Sequence, residues 1–454
     1  MIGVIKLTEL QQRIGGELNG GDAGFAGVSI DTRTLQAGEL FVAINGANFN
    51  GHRFVSAAAD LGAVGLIVSE PVDCTLPGLL VADTREALGQ IGAINREAFS
   101  GQVLAVTGSA GKTTVKEMSA AILSQCGPVL ATAGNFNNEI GVPLTLLRIS
   151  PQHRFAVMEL GASSVGEIAY TVGLVKPDVA IITNAADAHI EGFGSLNNVV
   201  QAKGEIIDGL NEQGIAVINS DDLNAYKWIQ RAGSRRYITF SLAESSGAGY
   251  FARNYEESGA EGAYRFELVC PAGSITISLN QLGKHNVSNA LAAAAGTMAL
   301  GANLEQVKAG LEGVQAVAGR LSVKPGLNGA RVIDDTYNAN PESLKAAIDV
   351  LCRYPGRKVL VLGDMAELGD LALNAHLESA RYALEQGVDR FVAVGSLSTH
   401  AARVFGDRGN AFNNKQELIE TLRKIMNKNT TLLVKGSRSA HMEEVVAAIT
   451  AGEQ

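Results

Sequence analysis

A glycine-rich turn between an apolar strand and a helix constrains the fold of this chain more than any other feature. Residues 103–106 have the pattern of a short buried strand, and a helix is predicted to begin near Lys112. A strand, a tight turn and a helix in this order are typical of α/β proteins with a parallel sheet. The turn and the start of the helix comprise Thr107, Gly108, Ser109, Ala110, Gly111, Lys112, Thr113 and Thr114.

The chemistry of this turn predicts that it binds nucleotide phosphates. Glycines allow backbone N–H groups to close around phosphate oxygens, and a lysine at the helix start neutralises the terminal phosphates. Thr113 or Thr114 is then placed to ligate Mg²⁺. Only two residues separate Gly108 from Gly111, whereas the common Walker pattern has four between its glycines. The spacing alone therefore leaves a plain turn before a helix as an alternative.

Three further residues are candidates for the same site. Glu159 ends an apolar run at 155–158, and because strand ends form the ligand crevice of an α/β sheet, it is a candidate Mg²⁺ ligand. The alternative is that it caps the following turn. His189 follows the apolar run 180–183 and is a candidate metal ligand or a structural histidine. Lys203 lies on a probable helix, where it is by itself typical of a solvated surface lysine.

The length of 454 residues predicts about three domains. Residues 1–85 have short strand-like runs typical of a small α/β domain. Between residues 86 and 312 strands alternate with helices, which predicts a mostly parallel sheet, with an antiparallel insertion or edge at about 236–281. Residues 313–454 contain three apolar strands, each preceded by helical sequence, and are predicted to form a Rossmann-like domain.

Composition excludes several classes of function. The net charge of −9 and the pI near 5.4 argue against nucleic-acid binding, which depends on Lys and Arg. The four cysteines are scattered, which predicts neither a zinc site nor a disulfide framework. Neither a signal-peptide pattern nor an apolar run of ~20 residues is found, so we expect a cytoplasmic protein that does not enter a membrane.

Seven segments together resemble the Mur ligases, the ATP-dependent amide ligases of bacterial cell-wall synthesis. The segments are residues 107–117, 134–147, 158–162, 202–206, 283–290, 319–321 and 334–341. The resemblance covers essentially the whole chain, and the shorter glycine turn is this family's own form. It implies an α/β protein of three domains: a small N-terminal UDP-binding domain, a central P-loop ATPase domain and a C-terminal Rossmann-like domain.

The resemblance also implies roles for individual residues. Lys112, Lys203 and His189 are expected to be catalytic, and ATP and Mg²⁺ are the expected cofactors. Lys203 matches a lysine that becomes carbamylated and, with Thr113, Glu159 and His189, is expected to bind metal. The residues expected to contact ATP outside the turn are Asn286, Asn289, Arg320 and Asp335, and those expected to contact the UDP substrate are Asp31, Thr32, Arg33, His52 and Arg53.

Within the family, residues 363–369 and 435–443 resemble the member that adds D-alanyl-D-alanine to UDP-N-acetylmuramoyl-tripeptide through an acyl phosphate. This implies those two partners, with Asn338 near the dipeptide. We expect a monomer, although the sequence does not fix the oligomeric state. Asp364, Glu367, Lys435 and Arg438 are candidates for the same site or only shape a domain interface. The alternatives are the diamino-acid-adding member, folylpolyglutamate synthetase and a nucleotide switch that does not ligate. The sequence leaves open whether the tripeptide ends in meso-diaminopimelate or lysine.

Overall fold

The computed structural model describes residues 1–46, 49–186, 190–258, 263–315 and 317–450. Within these residues the strands form three large sheets, of five, nine and six strands, and two small strand pairs. Helices pack against the large sheets, and most strand pairs in these sheets are parallel. The predicted α/β fold with a mostly parallel sheet is therefore confirmed.

The N-terminal unit is built on the five-stranded sheet, in the order β2-β9-β8-β5-β4. All its pairs are parallel except β2 with β9 at one edge. Its strands are β1 (Ile5–Lys6), β2 (Glu17–Asn19), β3 (Gly24–Phe25), β4 (Val28–Ser29), β5 (Leu40–Val42), β6 (Asn45–Gly46), β7 (Phe49–Asn50), β8 (Gly65–Val68) and β9 (Gly78–Leu80), and its helices are α1 (Leu7–Ile14), α2 (Val55–Asp60) and α3 (Thr84–Glu97).

Helix α3 joins this unit to the next. The Asp83 carboxylate caps it by accepting hydrogen bonds from the N–H groups of Arg85 and Glu86. Leu88 and Ile91 pack in the N-terminal core, whereas Ala93 packs in the central core. The same helix therefore holds two units together, and the predicted domain boundary near residue 85 stays a prediction.

The central unit is built on the nine-stranded sheet, in the order β11-β12-β10-β13-β14-β15-β16-β17-β18. Its strands are β10 (Gln102–Thr107), β11 (Val129–Ala131), β12 (Phe155–Glu159), β13 (Val179–Ile182), β14 (Ile215–Asn219), β15 (Arg236–Ser241), β16 (Tyr250–Ser258), β17 (Ala263–Cys270) and β18 (Gly273–Leu279). Its helices are α4 (Lys112–Ser124), α5 (Gly141–Leu147), α6 (Glu167–Val175), α7 (Ile190–Phe193), α8 (Leu196–Asp208), α9 (Ala225–Ala232), α10 (Lys284–Ala299) and α11 (Leu304–Gly313).

The order of the central strands positions the site. Strand β10 lies between β12 and β13 and runs parallel to both, with Val106 opposite Glu159 and Thr107 opposite Ile182. The carboxyl ends of the three strands therefore meet at one edge of the sheet, where the chain order reverses. The antiparallel edge begins only at β16, because β15 still pairs parallel with β14. The predicted insertion at 236–281 was therefore placed too early.

The C-terminal unit is built on the six-stranded sheet, in the order β19-β20-β24-β21-β22-β23, with only β19 antiparallel among these described strands. Apolar side chains fill both of its faces. Its strands are β19 (Ser322–Pro325), β20 (Arg331–Asp335), β21 (Arg357–Gly363), β22 (Arg390–Val394), β23 (Gly409–Phe412) and β24 (Thr430–Lys435), and its helices are α12 (Pro341–Arg353), α13 (Ala372–Glu385), α14 (Ser396–Ala402), α15 (Lys415–Ile425) and α16 (Glu443–Ile449). In the described residues, no helix has both the length and the apolar character needed to span a bilayer.

Candidate active site

The glycine turn, here called the phosphate loop (residues 107–114), leaves the end of β10 and starts helix α4 at Lys112. Gly111 has φ 82°, a left-handed conformation that favours glycine. A Cβ atom on Gly111 would lie 2.5 Å from Asn289 Oδ1, and one on Gly108 would overlap the Thr183 hydroxyl. At both positions a side chain would clash with a neighbouring residue, so glycine is needed for packing as well as for the turn.

The segment after β13 holds the phosphate loop in place. The Ser109 and Ala110 N–H groups donate to the backbone oxygen and Oδ1 of Asn184, at 3.0 and 2.9 Å. The Thr183 hydroxyl donates to the Ala110 carbonyl at 2.6 Å. Sequence reasoning missed both Thr183 and Asn184, although their position directly after a buried strand was a usable signal.

Lys112 folds back over the phosphate loop. Its Nζ donates to the carbonyl oxygens of Gly108 and Ser109, at 2.6 and 3.3 Å. Burial lowers the pKa of Lys112, and the nearby Glu159 carboxylate partly offsets this effect. A poorly solvated ammonium group at the start of a helix is well suited to an anionic ligand.

Glu159 ends strand β12, and only one of its two carboxylate oxygens has a hydrogen-bond partner among the described residues. The residue is 2% exposed, and its Oε1 accepts a hydrogen bond from Asn137 Nδ2 at 2.9 Å. Its Oε2 is buried and receives no hydrogen bond from any residue that the structure describes. A buried, unpaired carboxylate oxygen is costly, and a divalent cation would satisfy it. Sequence reasoning missed Asn137, which fixes the orientation of this carboxylate.

The described residues fit a Mg²⁺ ion that completes its shell with substrate oxygens. They contain no cluster of three His, Cys, Asp or Glu side chains able to hold a metal. Magnesium commonly takes one or two carboxylates and the phosphates of its nucleotide, so Glu159 and the threonine hydroxyls of the phosphate loop suit it. The candidate ligand His189 lies outside the described residues.

Lys203 lies on helix α8 and is 2% exposed, so its interpretation as a solvated surface lysine is wrong. Its Nζ lies 5.1 Å from the centroid of the Phe193 ring. Burial, reinforced by repulsion from Lys112, lowers the pKa of Lys203 to about 7. A substantial fraction of this amine is therefore neutral near pH 7, unlike an ordinary lysine.

Arg320 extends from the C-terminal unit to the phosphate loop. Its Nη2 donates to the Thr113 hydroxyl at 2.8 Å, and its guanidinium carbon lies 4.2 Å from the centroid of the Tyr337 ring. Leu321 has φ 52°, an uncommon conformation for a leucine, and its N–H donates to Asp335 Oδ1 at 3.2 Å. Asp335 thus stabilises the turn that presents Arg320.

Asp335 is also half of a buried ion pair. Lys435 is 2% exposed, and its Nζ donates to Asp335 Oδ2 at 2.5 Å and to the Asn338 carbonyl at 2.8 Å. Lys435 therefore acts inside the C-terminal unit rather than at its boundary.

Asn286 and Asn289 form a short chain of side-chain hydrogen bonds along α10. Asn289 Nδ2 donates to Asn286 Oδ1 at 2.9 Å, and Asn286 Nδ2 donates to the Leu282 carbonyl at 2.7 Å. Leu282 packs in the core of the C-terminal unit. Through Asn289 this chain reaches Gly111, so α10 connects the phosphate loop with the C-terminal unit.

A cavity of about 380 Å³ lies in the C-terminal unit. Asp364 is absent from the described lining, because its carboxylate accepts hydrogen bonds from the N–H groups of Leu397 and Ser398 at the start of α14. The cavity is lined by Asn338, Ala339, Asn340, Ala366, Glu367, Leu368, Ser437, Arg438, Ser439 and His441.

The N-terminal unit holds the remaining candidate residues. Asp31 pairs with Arg33 through Nη2 at 2.5 Å, and hydrogen bonds from this arginine lower the pKa of Asp31 to about 2. His52 is buried; its Nε2 accepts from the Ser69 N–H at 2.8 Å, and its Nδ1 lies 3.0 Å from Asn50 Oδ1. His52 and Arg53 line a second cavity, of about 290 Å³.

Comparison with family models places most of the chain in one family. Residues 24–96 match the model for the Mur ligase family catalytic domain, residues 106–297 match the Mur ligase middle domain, and residues 319–438 match the Mur ligase glutamate ligase domain.

Individual proteins match over nearly the full length. The UDP-N-acetylmuramoyl-tripeptide–D-alanyl-D-alanine ligase of Escherichia coli is 46% identical over 98% of both chains. A crystal structure of MurF from Acinetobacter baumannii has a TM-score of 0.92 at 38% identity, over 98% of both chains. MurF ligase from Thermotoga maritima in complex with ADP has a TM-score of 0.84 at 28% identity, over 93% of this chain and 96% of that one.

Proposed function

The chain belongs to the Mur ligase family, and we propose that it joins D-alanyl-D-alanine to UDP-N-acetylmuramoyl-tripeptide with consumption of ATP. The product is UDP-N-acetylmuramoyl-pentapeptide. The observation that carries the proposal is the contact from Arg320 to Thr113, because it brings the C-terminal unit, with its cavity, onto the phosphate loop. This contact supports a nucleotide site on the central unit and a site for a small second substrate on the C-terminal unit.

The reaction requires activation of the tripeptide carboxylate. A carboxylate does not acylate an amine at neutral pH, because its oxide is a poor leaving group. Transfer of the γ-phosphoryl group from ATP to a carboxylate oxygen gives an acyl phosphate and ADP. The dipeptide amine then attacks the acyl carbon, phosphate leaves with that oxygen, and the amine loses a proton as the amide forms. Catalysis of phosphoryl transfer is mainly positioning and charge neutralisation.

Three cationic or polar groups of the chain suit that task. Lys112 and the N–H groups at the start of α4 lie at the phosphate loop, and Arg320 contacts this loop from the other unit. Arg320 belongs to the C-terminal unit and already contacts the phosphate loop, so its charge is available to the phosphates. Tight packing of this unit over the loop would exclude water from the acyl phosphate.

Mg²⁺, when bound, neutralises phosphate charge and polarises the transferring group. The unpaired Oε2 of Glu159 supports its role as a ligand, with Thr113 or Thr114 as the hydroxyl ligand. His189 remains a proposed Mg²⁺ ligand, because it matches a metal ligand of the family.

We also propose that Lys203 is carbamylated. The neutral amine attacks CO₂, a C–N bond forms and one proton is released to solvent. The lowered pKa supports this step, because only the unprotonated amine is a nucleophile. The negative carbamate would also replace the repulsion between Lys203 and Lys112 by attraction. Its two oxygens are suitable ligands for a second Mg²⁺.

The 380 Å³ cavity is our proposed dipeptide site. D-alanyl-D-alanine is a zwitterion, and the cavity lining contains an arginine, Arg438, and a glutamate, Glu367, which complement its two charges. Asn338 lies in the same lining, as proposed from the family pattern.

The N-terminal unit is our proposed site for the UDP end of the other substrate. Asp31, Thr32 and Arg33 with His52 and Arg53 remain the proposed contact residues. Since both ring nitrogens of His52 already contact neighbouring groups, Arg53 is the stronger candidate for direct phosphate contact. We propose a monomer in a reducing cytoplasm, and the four cysteines are free.

A coupled phosphate-release assay tests the function. We expect release from ATP only when UDP-N-acetylmuramoyl-tripeptide and D-alanyl-D-alanine are both present. Release with nucleotide alone would favour a switch, and release with a diamino acid or with folate and glutamate would favour the two related ligases. Running the assay with tripeptides ending in meso-diaminopimelate and in lysine identifies the accepted substrate.

A further inference from the structure

A short loop after β21 forms one wall of the 380 Å³ cavity. This loop, residues 364–369, contributes Ala366, Glu367 and Leu368 to the lining. Glu367 has φ 63°, a conformation that non-glycine residues rarely adopt. The loop therefore needs support from its surroundings to keep this shape.

The start of the loop is held by neighbouring elements. The Asp364 carboxylate accepts from Ser398 N–H at 2.8 Å and Ser398 Oγ at 2.7 Å. The Asp364 carbonyl accepts from the Ser437 N–H at 3.0 Å and the Ser437 hydroxyl at 2.6 Å. These contacts fix residue 364, and near the far end of the loop the Glu367 carbonyl accepts from the Glu191 N–H at 3.4 Å. The Met365 amide between them is held by another group.

His376 on α13 supplies that support from beneath the loop. The residue is 0% exposed, and its Nε2 accepts the Met365 N–H at 2.9 Å. Its Nδ1 lies 2.7 Å from the Ala372 carbonyl, so the ring is neutral, with its proton on Nδ1. Burial lowers the pKa of His376, which favours the same neutral form.

We propose that His376 is a positioning residue for the amino-donor dipeptide. It fixes the Met365 amide and thereby the wall formed by residues 366–368, without contacting the ligand. This inference rests on the proposed function, because it takes the cavity as the dipeptide site. Of the two ring nitrogens, only Nε2 contacts the loop. Loss of the Nε2 contact should therefore weaken dipeptide binding, whereas the Nδ1 contact only orients the ring.

Two substitutions separate these effects. In His376→Asn the side-chain amide nitrogen takes the position of Nδ1. It keeps the hydrogen bond to the Ala372 carbonyl, but the hydrogen bond from the Met365 N–H is lost. In His376→Gln the carbonyl reaches the place of Nε2 and keeps the Met365 contact. We expect His376→Asn to raise the KM for D-alanyl-D-alanine about tenfold, the equivalent of one lost hydrogen bond, and His376→Gln to stay within about threefold of the unmodified enzyme.

The controls exclude a general loss of structure. The KM for ATP and kcat at saturating dipeptide should change little in both variants. His153→Asn is the matched control, because His153 Nδ1 also lies within hydrogen-bond distance of a backbone N–H, that of Ser150 at 3.1 Å, but His153 does not line the cavity. We expect its dipeptide KM to be unchanged.

Equal dipeptide KM values in the Asn and Gln variants, or a parallel rise in the KM for ATP, would overturn the proposal. If His376→Asn does not fold, calorimetric titration of His376→Gln with D-alanyl-D-alanine decides: a Kd within about threefold of the unmodified enzyme supports the proposal, and a tenfold rise refutes it. Failure of the unmodified enzyme to require the dipeptide at all would instead refute the proposed function.

Discussion

The buried pair between Lys435 and Asp335 gives the sharpest test of how the C-terminal unit is held together. In Lys435→Met the ammonium is lost, and Asp335 Oδ2 loses a partner at 2.5 Å while its side chain remains only 12% exposed. Breaking one side of a buried ion pair typically costs about 3–5 kcal/mol, because the remaining charge is uncompensated. We expect the stability of the sheet around β20 and β24 to fall by about this amount.

The double variant Asp335→Asn/Lys435→Met should lose less stability than Lys435→Met alone, because no uncompensated charge is then left buried. The asparagine can also keep the hydrogen bond from the Leu321 N–H. Hydrogen exchange of peptides from β20 and β24 is the assay, because the one tryptophan, Trp228, lies in the central unit. A loss below about 1 kcal/mol in Lys435→Met, or an equal loss in the double variant, would refute this reasoning.

Four further outcomes follow from the site. Lys112→Ala should abolish ligation while calorimetry still detects binding of the UDP substrate, because the proposed sites lie in different units; comparable ligation rates would contradict this. Short carboxylic acids should partly restore activity to Lys203→Ala, and no restoration would count against the carbamate. The ¹³C carbamate signal of the unmodified enzyme in labelled bicarbonate should weaken as the pH falls below about 7, since protonation of Lys203 removes the nucleophile. Mg²⁺ should raise the melting temperature of the enzyme in the presence of ADP, and Glu159→Gln should remove most of this rise; an unchanged rise would exclude Glu159 as a ligand.

Local sequence patterns predicted the parts of the molecule that local interactions determine. The phosphate loop is one example, because a buried strand, two glycines and a helix start are all encoded within a short stretch. The long apolar runs of β10, β12 and β13 are another, since strands covered on both faces are apolar throughout. The short edge strands β19 and β23 were missed, because they are partly exposed and lack such a run.

Contacts between distant residues could not be predicted from pattern alone. Asn184 binds Ala110, which is 74 residues away, and Asn137 binds Glu159 from a separate loop. The burial of Lys203 likewise depends on how α6 packs against α8, which helix periodicity does not reveal. The role of Asp364 could not be predicted for the same reason, because the helix that it caps begins more than thirty residues later.

The central claim is that ATP activates the tripeptide carboxylate before the dipeptide amine attacks. Labelling both oxygens of that terminal carboxylate with ¹⁸O tests it directly. Because the oxygen that accepts the phosphoryl group leaves with phosphate, each turnover should give one labelled phosphate and one molecule of UDP-N-acetylmuramoyl-pentapeptide in mass spectrometry. Unlabelled phosphate would contradict the account, since ATP would then be hydrolysed without activating the substrate.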